Sequence, residues 1–242
     1  MMYNHSLWNG FQRLDFTFEG HKAILVLPKK AVEGNKWLLK TEYFDAFPQF
    51  EIEMVEKGYY LAYVESETRW HGKGDDELKE RFCAFLQENF DLCEKCLPVG
   101  MSCGGLQAVY FAAAYPNRVA ALYLDAPVLN FLSCPVGVGI GTDLMYFEFV
   151  QKTGLTKEML INYRNHPMDQ IPKLLANQIP VMLICGGTDY VVPYQENGAV
   201  FYERYKEQGG EIIQIVKPGC GHHPHGLEDN APLHAFVEKY YG

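Results

Sequence analysis

Short β-branched and aromatic runs alternate with helically spaced apolar positions along most of the chain. Residues 13–18 and 22–27 read as two strands joined by a turn at Glu19-Gly20, which predicts an opening hairpin. Trp37-Leu38-Leu39-Lys40 predicts a third strand. Residues 47–57 have helical spacing and stop at Gly58, a residue suited to a left-handed helix end. A strand over 59–64 and an amphipathic helix over 75–89 follow.

The alternation then sharpens. A brief strand over 96–99 runs into Gly100-Met101-Ser102-Cys103-Gly104-Gly105, and a helix over 104–115 stops at Pro116. Strands are predicted at 121–124, 180–185 and 211–216, with helices at 194–208 and 231–241. Strands separated by helices imply a mostly parallel sheet covered on both faces, with the hairpin as an antiparallel edge. Residues 128–172 break this rhythm. They hold Gly-rich turns (137–141) and helical segments at 142–152 and 156–163 but no sheet strand. So long a connection carries structure of its own, which predicts a cap inserted into one α/β domain spanning 1–242.

Composition narrows the function. The 242 residues are 48% hydrophobic and 21% charged, as in ordinary globular proteins that need no disulfide or structural metal. Net charge is −9, and no Lys/Arg run stands out, which excludes nucleic acid and anionic membrane as expected partners. No apolar run reaches the length of a membrane span. The N-terminus carries no basic region followed by an apolar stretch, and seven scattered cysteines do not form a disulfide framework. Cys93-x-x-Cys96 has no second pair to complete a metal set, so plain thiols and a cytoplasmic protein are expected.

Candidate chemistry begins at Ser102. A Gly-x-Ser-x-Gly sequence between strand and helix forces a tight turn with the serine at its apex, although a helix-capping serine gives the same letters. A serine nucleophile needs a base, and Gly219-Cys220-Gly221-His222-His223-Pro224-His225 follows the strand at 211–216. Three histidines in four positions also suggest a metal. Pro224 breaks helical ligand spacing, however, and no carboxylate or cysteine pair stands at matching intervals, so no metal is expected. His223 and His225 are read as packing or hydrogen-bonding residues. For the carboxylate that orients the base, Asp189 follows the strand at 180–185 at its carboxyl edge, and Asp125, at the end of 121–124, is its rival. The chain order Ser102, Asp189, His222 is the one this architecture uses.

These motifs resemble the α/β-hydrolase superfamily, in particular single-domain serine esterases related to prolyl oligopeptidase catalytic domains and dienelactone hydrolases. Gly100 to Gly105 is similar to their nucleophile elbow. Gly187-Thr188-Asp189-Tyr190-Val191-Val192-Pro193 resembles their acid turn, and Gly219-Cys220-Gly221-His222 their histidine loop. The sequence holds no propeller, so the resemblance does not imply oligopeptidase activity. It also lacks the His-Gly pair often found after the third strand, where Lys40-Thr41-Glu42-Tyr43-Phe44 stands instead.

The resemblance implies cofactor-free acyl transfer, with Ser102 attacking a small carboxylic ester, His222 as base and Asp189 orienting it. The Cys103 amide is expected to bind the oxyanion, together with an amide near Glu42 or Tyr43. Trp70, Tyr146 and Phe147 are expected to wall the substrate pocket, with an acyl group on a carbohydrate as the suggested substrate. A serine peptidase with the same triad, or a non-catalytic binder on this scaffold, are the alternatives.

Overall fold

The computed structural model describes residues 2–242. Nine strands form one sheet in the order β1-β2-β3-β5-β4-β6-β7-β8-β9. The strands are β1 (Asn4–Trp8), β2 (Phe11–Phe18), β3 (His21–Leu27), β4 (Trp37–Lys40), β5 (Tyr60–Val64), β6 (Leu97–Met101), β7 (Leu122–Asp125), β8 (Val181–Gly186) and β9 (Ile212–Lys217). The pairs β1–β2, β2–β3 and β3–β5 are antiparallel, and from β5 through β9 every pairing is parallel. Parallel strands place all their carboxyl ends on one edge, which is where such folds gather their chemistry.

The expected strands and helices lie within a few residues of their predicted positions, with one addition. No alternation of apolar residues announces β1, whose first four residues are exposed. It pairs only with β2, so the backbone ladder rather than an apolar face holds it.

Helices cover both faces of the sheet: α1 (Gln49–Glu56), α2 (Asp75–Phe90), α3 (Cys103–Ala114), α7 (Gly198–Glu207) and α8 (Ala231–Tyr241). Two apolar layers result. One packs Phe82, Phe111, Phe201 and Leu183 on one face, and the other packs Phe50, Tyr123, Phe236 and Ile184 on the opposite face. Alternate residues of each strand feed the two layers, so the parallel strands are buried throughout. β9 is the exception, half-exposed as the last strand at the sheet edge.

Between β7 and β8 the chain contains no strand. It carries α4 (Tyr146–Thr153), α5 (Lys157–Ile161) and α6 (Ile171–Ala176). A third apolar cluster, with Phe131, Val136, Phe149 and Leu160, packs this excursion onto Trp70 and onto Cys103, Leu106 and Tyr110 of α3. His166 fastens it internally, because its Nδ1 accepts from the Phe131 backbone N–H at 3.1 Å. That acceptor role requires the neutral imidazole, and burial holds the His166 pKa below its ordinary value. No helix among the described residues is long and apolar enough to cross a membrane.

Candidate active site

Ser102 sits between β6 and α3 with φ 53° and ψ −119°, a conformation that side-chain residues rarely adopt. Neighbouring backbone over-determines the turn. Ser102 N–H donates to the Asp125 carbonyl at 2.9 Å, and the Ser102 carbonyl accepts from Gly105 and Val128 N–H groups, each at 3.0 Å. The glycines are required by close approach. A Cβ on Gly100 would stand 2.6 Å from the Gly104 carbonyl oxygen, and one on Gly105 would stand 2.4 Å from Pro127 Cβ. Such turns store strain only where the surroundings hold it.

His222 and Asp189 come to the same edge from the ends of β9 and β8. His222 Nε2 lies 3.0 Å from Ser102 Oγ, and His222 Nδ1 lies 2.7 Å from Asp189 Oδ2. Asp189 is 2% exposed, and its other oxygen accepts from the Val191 and Val192 N–H groups at 2.8 and 2.9 Å. An acceptor-only carboxylate places the imidazole proton on Nδ1, which leaves Nε2 to accept from the serine hydroxyl. Gly186 lets the two loops meet: a Cβ there would lie 2.1 Å from the Gly221 carbonyl oxygen. The Thr188 N–H donates to the Cys220 carbonyl at 2.9 Å and ties the acid turn to the histidine loop.

Asp125 is engaged elsewhere. Its Oδ1 lies 2.7 Å from His225 Nδ1, while Oδ2 accepts from Gly226 N–H at 2.7 Å and from the Tyr123 hydroxyl at 3.2 Å. His225 is thus a buried structural partner, and His223 is exposed and stacked on Phe47. The hydrogen-bonding and packing roles expected of these two residues hold. The argument from spacing against their assembly with His222 does not, because the loop brings one ring nitrogen of each within 4.8 Å of the others.

Cys103 opens α3, so its N–H has no acceptor inside the helix. Burial pushes its thiol up to about 12, which keeps this neighbour of Ser102 protonated and inert. Of the two residues expected to carry the second amide, Tyr43 lines the cavity beside Ser102, with φ +55°. Glu42 turns inward, and its Oε2 accepts from Gln107 Nε2 of α3 at 2.8 Å. Burial raises the Glu42 pKa. Gln107 Oε1 in turn accepts from Ser66 Oγ, and Ser66 Oγ from Lys79 Nζ. This buried polar chain fixes the loop after β4 against α3, and no local sequence motif announces it.

The cavity beside Ser102 has a volume of about 330 Å³. Tyr43, Phe47, Arg69, Met145 and Val191 wall it together with the histidines. Trp70, Tyr146 and Phe147 do not line it, and their assignment to the substrate pocket is corrected. Trp70 is 1% exposed, packs edge-on against Phe149 and donates from Nε1 to Glu148 Oε1 at 3.0 Å. The Tyr146 hydroxyl accepts from the Lys157 N–H, and Phe147 projects outward at 73% exposure. Aromatic letters in a connection do not reveal which helix face meets the cavity. Arg69, missed by sequence reading, stands at the wall paired with Glu148.

Comparison with known proteins bears on the family and the fold. The prolyl oligopeptidase family model matches residues 67–242, most of the chain. Among solved structures, the uncomplexed acylaminoacyl peptidase of Pyrococcus horikoshii superposes with a TM-score of 0.71 at 17% identity, over 95% of this chain and 42% of that one. Puromycin hydrolase superposes at 0.70 and 17% identity, over 92% and 36%. An α/β-hydrolase enzyme from the metagenome of sediments of the Mar Chica lagoon, Morocco, superposes at 0.60 and 19% identity, over 98% of both chains. The chain spans well under half the length of the two named hydrolases. At these identities the superpositions speak for the fold, and the family match speaks for the family. The chain belongs to the prolyl oligopeptidase family and has the α/β-hydrolase fold.

Proposed function

We propose that Ser102, His222 and Asp189 form a catalytic triad that hydrolyses a short peptide or aminoacyl amide through an acyl-enzyme. The observation that carries this reading is the unbroken line from Ser102 Oγ to His222 Nε2 at 3.0 Å and from Nδ1 to the buried Asp189 at 2.7 Å. Ser102 attacks the carbonyl carbon as His222 takes the hydroxyl proton, and the tetrahedral oxyanion is held by the Cys103 N–H and a donor from the loop at Glu42 and Tyr43. His222 then gives the proton to the departing amine; a water that passes its proton to the same imidazole attacks the acyl carbon, and Ser102 Oγ leaves with that proton, releasing the acid. One oxyanion donor supplies about 3 kcal/mol of transition-state stabilisation. The excursion between β7 and β8 serves as the cap, with Met145 reaching the cavity.

Family membership and the peptidase relatives favour amides. A carboxylic ester remains a second reading, favoured by the small cavity walled by Tyr43, Phe47, Met145 and Val191, which suits a compact acyl group. The carbohydrate suggestion loses its support, because Trp70 is buried away from Ser102. A panel of aminoacyl and dipeptidyl p-nitroanilides beside p-nitrophenyl acetate and butyrate separates the readings. Anilide turnover is expected, and turnover of esters alone selects the second. Ser102→Ala should lower kcat by about a million-fold with the fold intact, and undiminished turnover in that variant defeats the triad.

A further inference from the structure

We propose that His222, His223 and His225 form a binding site for a tetrahedral divalent metal of the zinc type, whose occupancy takes the catalytic base away from Ser102. The three rings stand as a near-equilateral set, with centroids 4.8, 5.0 and 5.0 Å apart and mutual tilts of 64°, 79° and 86°. A tetrahedral zinc with Zn–N bonds of about 2.0–2.1 Å holds the centroids of bound imidazoles about 5 Å apart. One nitrogen from each ring already lies within 4.8 Å of the other two, against roughly 3.4 Å in a closed tetrahedral site. Side-chain rotation closes the remaining gap, and His223, exposed and held by no carboxylate, is the ring that turns, leaving its stack on Phe47.

The surroundings prepare two of the three ligands. Asp189 accepts from His222 Nδ1 and Asp125 from His225 Nδ1, each at 2.7 Å. A carboxylate on the far nitrogen is the arrangement that orients metal-binding imidazoles and raises their basicity. It leaves Nε2 of both rings for the metal. Three imidazoles suit zinc and its transition-metal neighbours over magnesium or calcium, and the fourth position falls to water from the cavity. Since His222 Nε2 is also the atom 3.0 Å from Ser102 Oγ, metal and serine compete for one lone pair. The site is therefore inhibitory. Binding itself is independent of the proposed hydrolysis, while inhibition rests on it.

Calorimetric titration of Zn2+ into chelator-stripped full chain tests the site. One zinc per chain is expected. His223→Ala should weaken it by about tenfold or more, and Cys220→Ser, which removes the partly exposed thiol of the same loop, should leave affinity unchanged. Turnover of the panel substrate should fall in step with occupancy and return on adding EDTA. Absence of stoichiometric binding, an unaltered affinity in His223→Ala, or loss of binding in Cys220→Ser overturns the site. Stoichiometric binding with undiminished turnover overturns the inhibitory role. Zinc bound by a chain that hydrolyses nothing leaves the site standing and strikes the hydrolase reading instead.

Discussion

Two carboxylate–imidazole pairs stand side by side on the sheet edge, Asp189 with His222 and Asp125 with His225, and both are closed at 2.7 Å. Asp125 ends β7 and Asp189 lies in the turn that follows β8, and both histidines belong to one loop. They differ in what lies beyond the ring. His222 continues to Ser102 Oγ, whereas the Asp125 carboxylate is fully occupied by His225, the Gly226 N–H and the Tyr123 hydroxyl. An aspartate paired with a histidine at the sheet edge can thus be a structural clasp, and connection to a strained serine is what sets the His222 pair apart.

Removing one charge at a time separates the two pairs. Asp189→Asn should cut kcat by about ten-thousand-fold with little change in KM, because the amide favours the wrong tautomer of His222. Steady-state kinetics on the panel substrate reads this directly. Gly186→Ala strikes the geometry of the same pair without touching its chemistry. Its Cβ meets the Gly221 and Cys220 carbonyl oxygens at 2.1 and 2.6 Å, both backbone atoms. A shift of the histidine loop by about 1 Å should lower kcat roughly a hundredfold, and overpacking should cost about 1–3 kcal/mol in urea unfolding. Asp125→Asn should reverse the pattern. Unfolding free energy should fall by about 1–3 kcal/mol as a charge-assisted buried bond weakens, with kcat reduced by less than about tenfold.

The smallest effect lies away from both pairs. The His166 pKa is depressed by burial, so its neutral form stabilises the fold above the unfolded value of 6.5. That contribution is lost as pH falls through the lower folded value. Thermal melts should therefore decline below pH 6.5 in the wild type, and less so in His166→Gln, whose side chain accepts a hydrogen bond at any pH.

Much of this was legible in the sequence because it is local. The elbow, the acid turn and the histidine loop are short strings whose glycines are dictated by approaches found in the structure, such as Gly105 against Pro127. Asp189 was separable from Asp125 only through motif order, since both lie at the carboxyl edge of the sheet and the partner of each is set by the tertiary path of one loop. Trp70, Tyr146 and Phe147 were misplaced because helix facing decides whether an aromatic side chain packs inward, bonds a neighbour or meets solvent. Arg69 and the Glu42–Gln107–Ser66–Lys79 chain were invisible, being assembled from four distant segments. The strand β1 was missed for lack of any apolar alternation.

The central claim is that Ser102 is activated through His222 by Asp189 and not by Asp125. Fluorophosphonate labelling, with the modified peptide mapped by mass spectrometry, measures that activation at the serine itself. Rapid labelling confined to Ser102 in the wild type and in Asp125→Asn, with labelling slowed by orders of magnitude in Asp189→Asn, is the predicted result. Labelling at another residue, or equal rates in Asp189→Asn and the wild type, would contradict it.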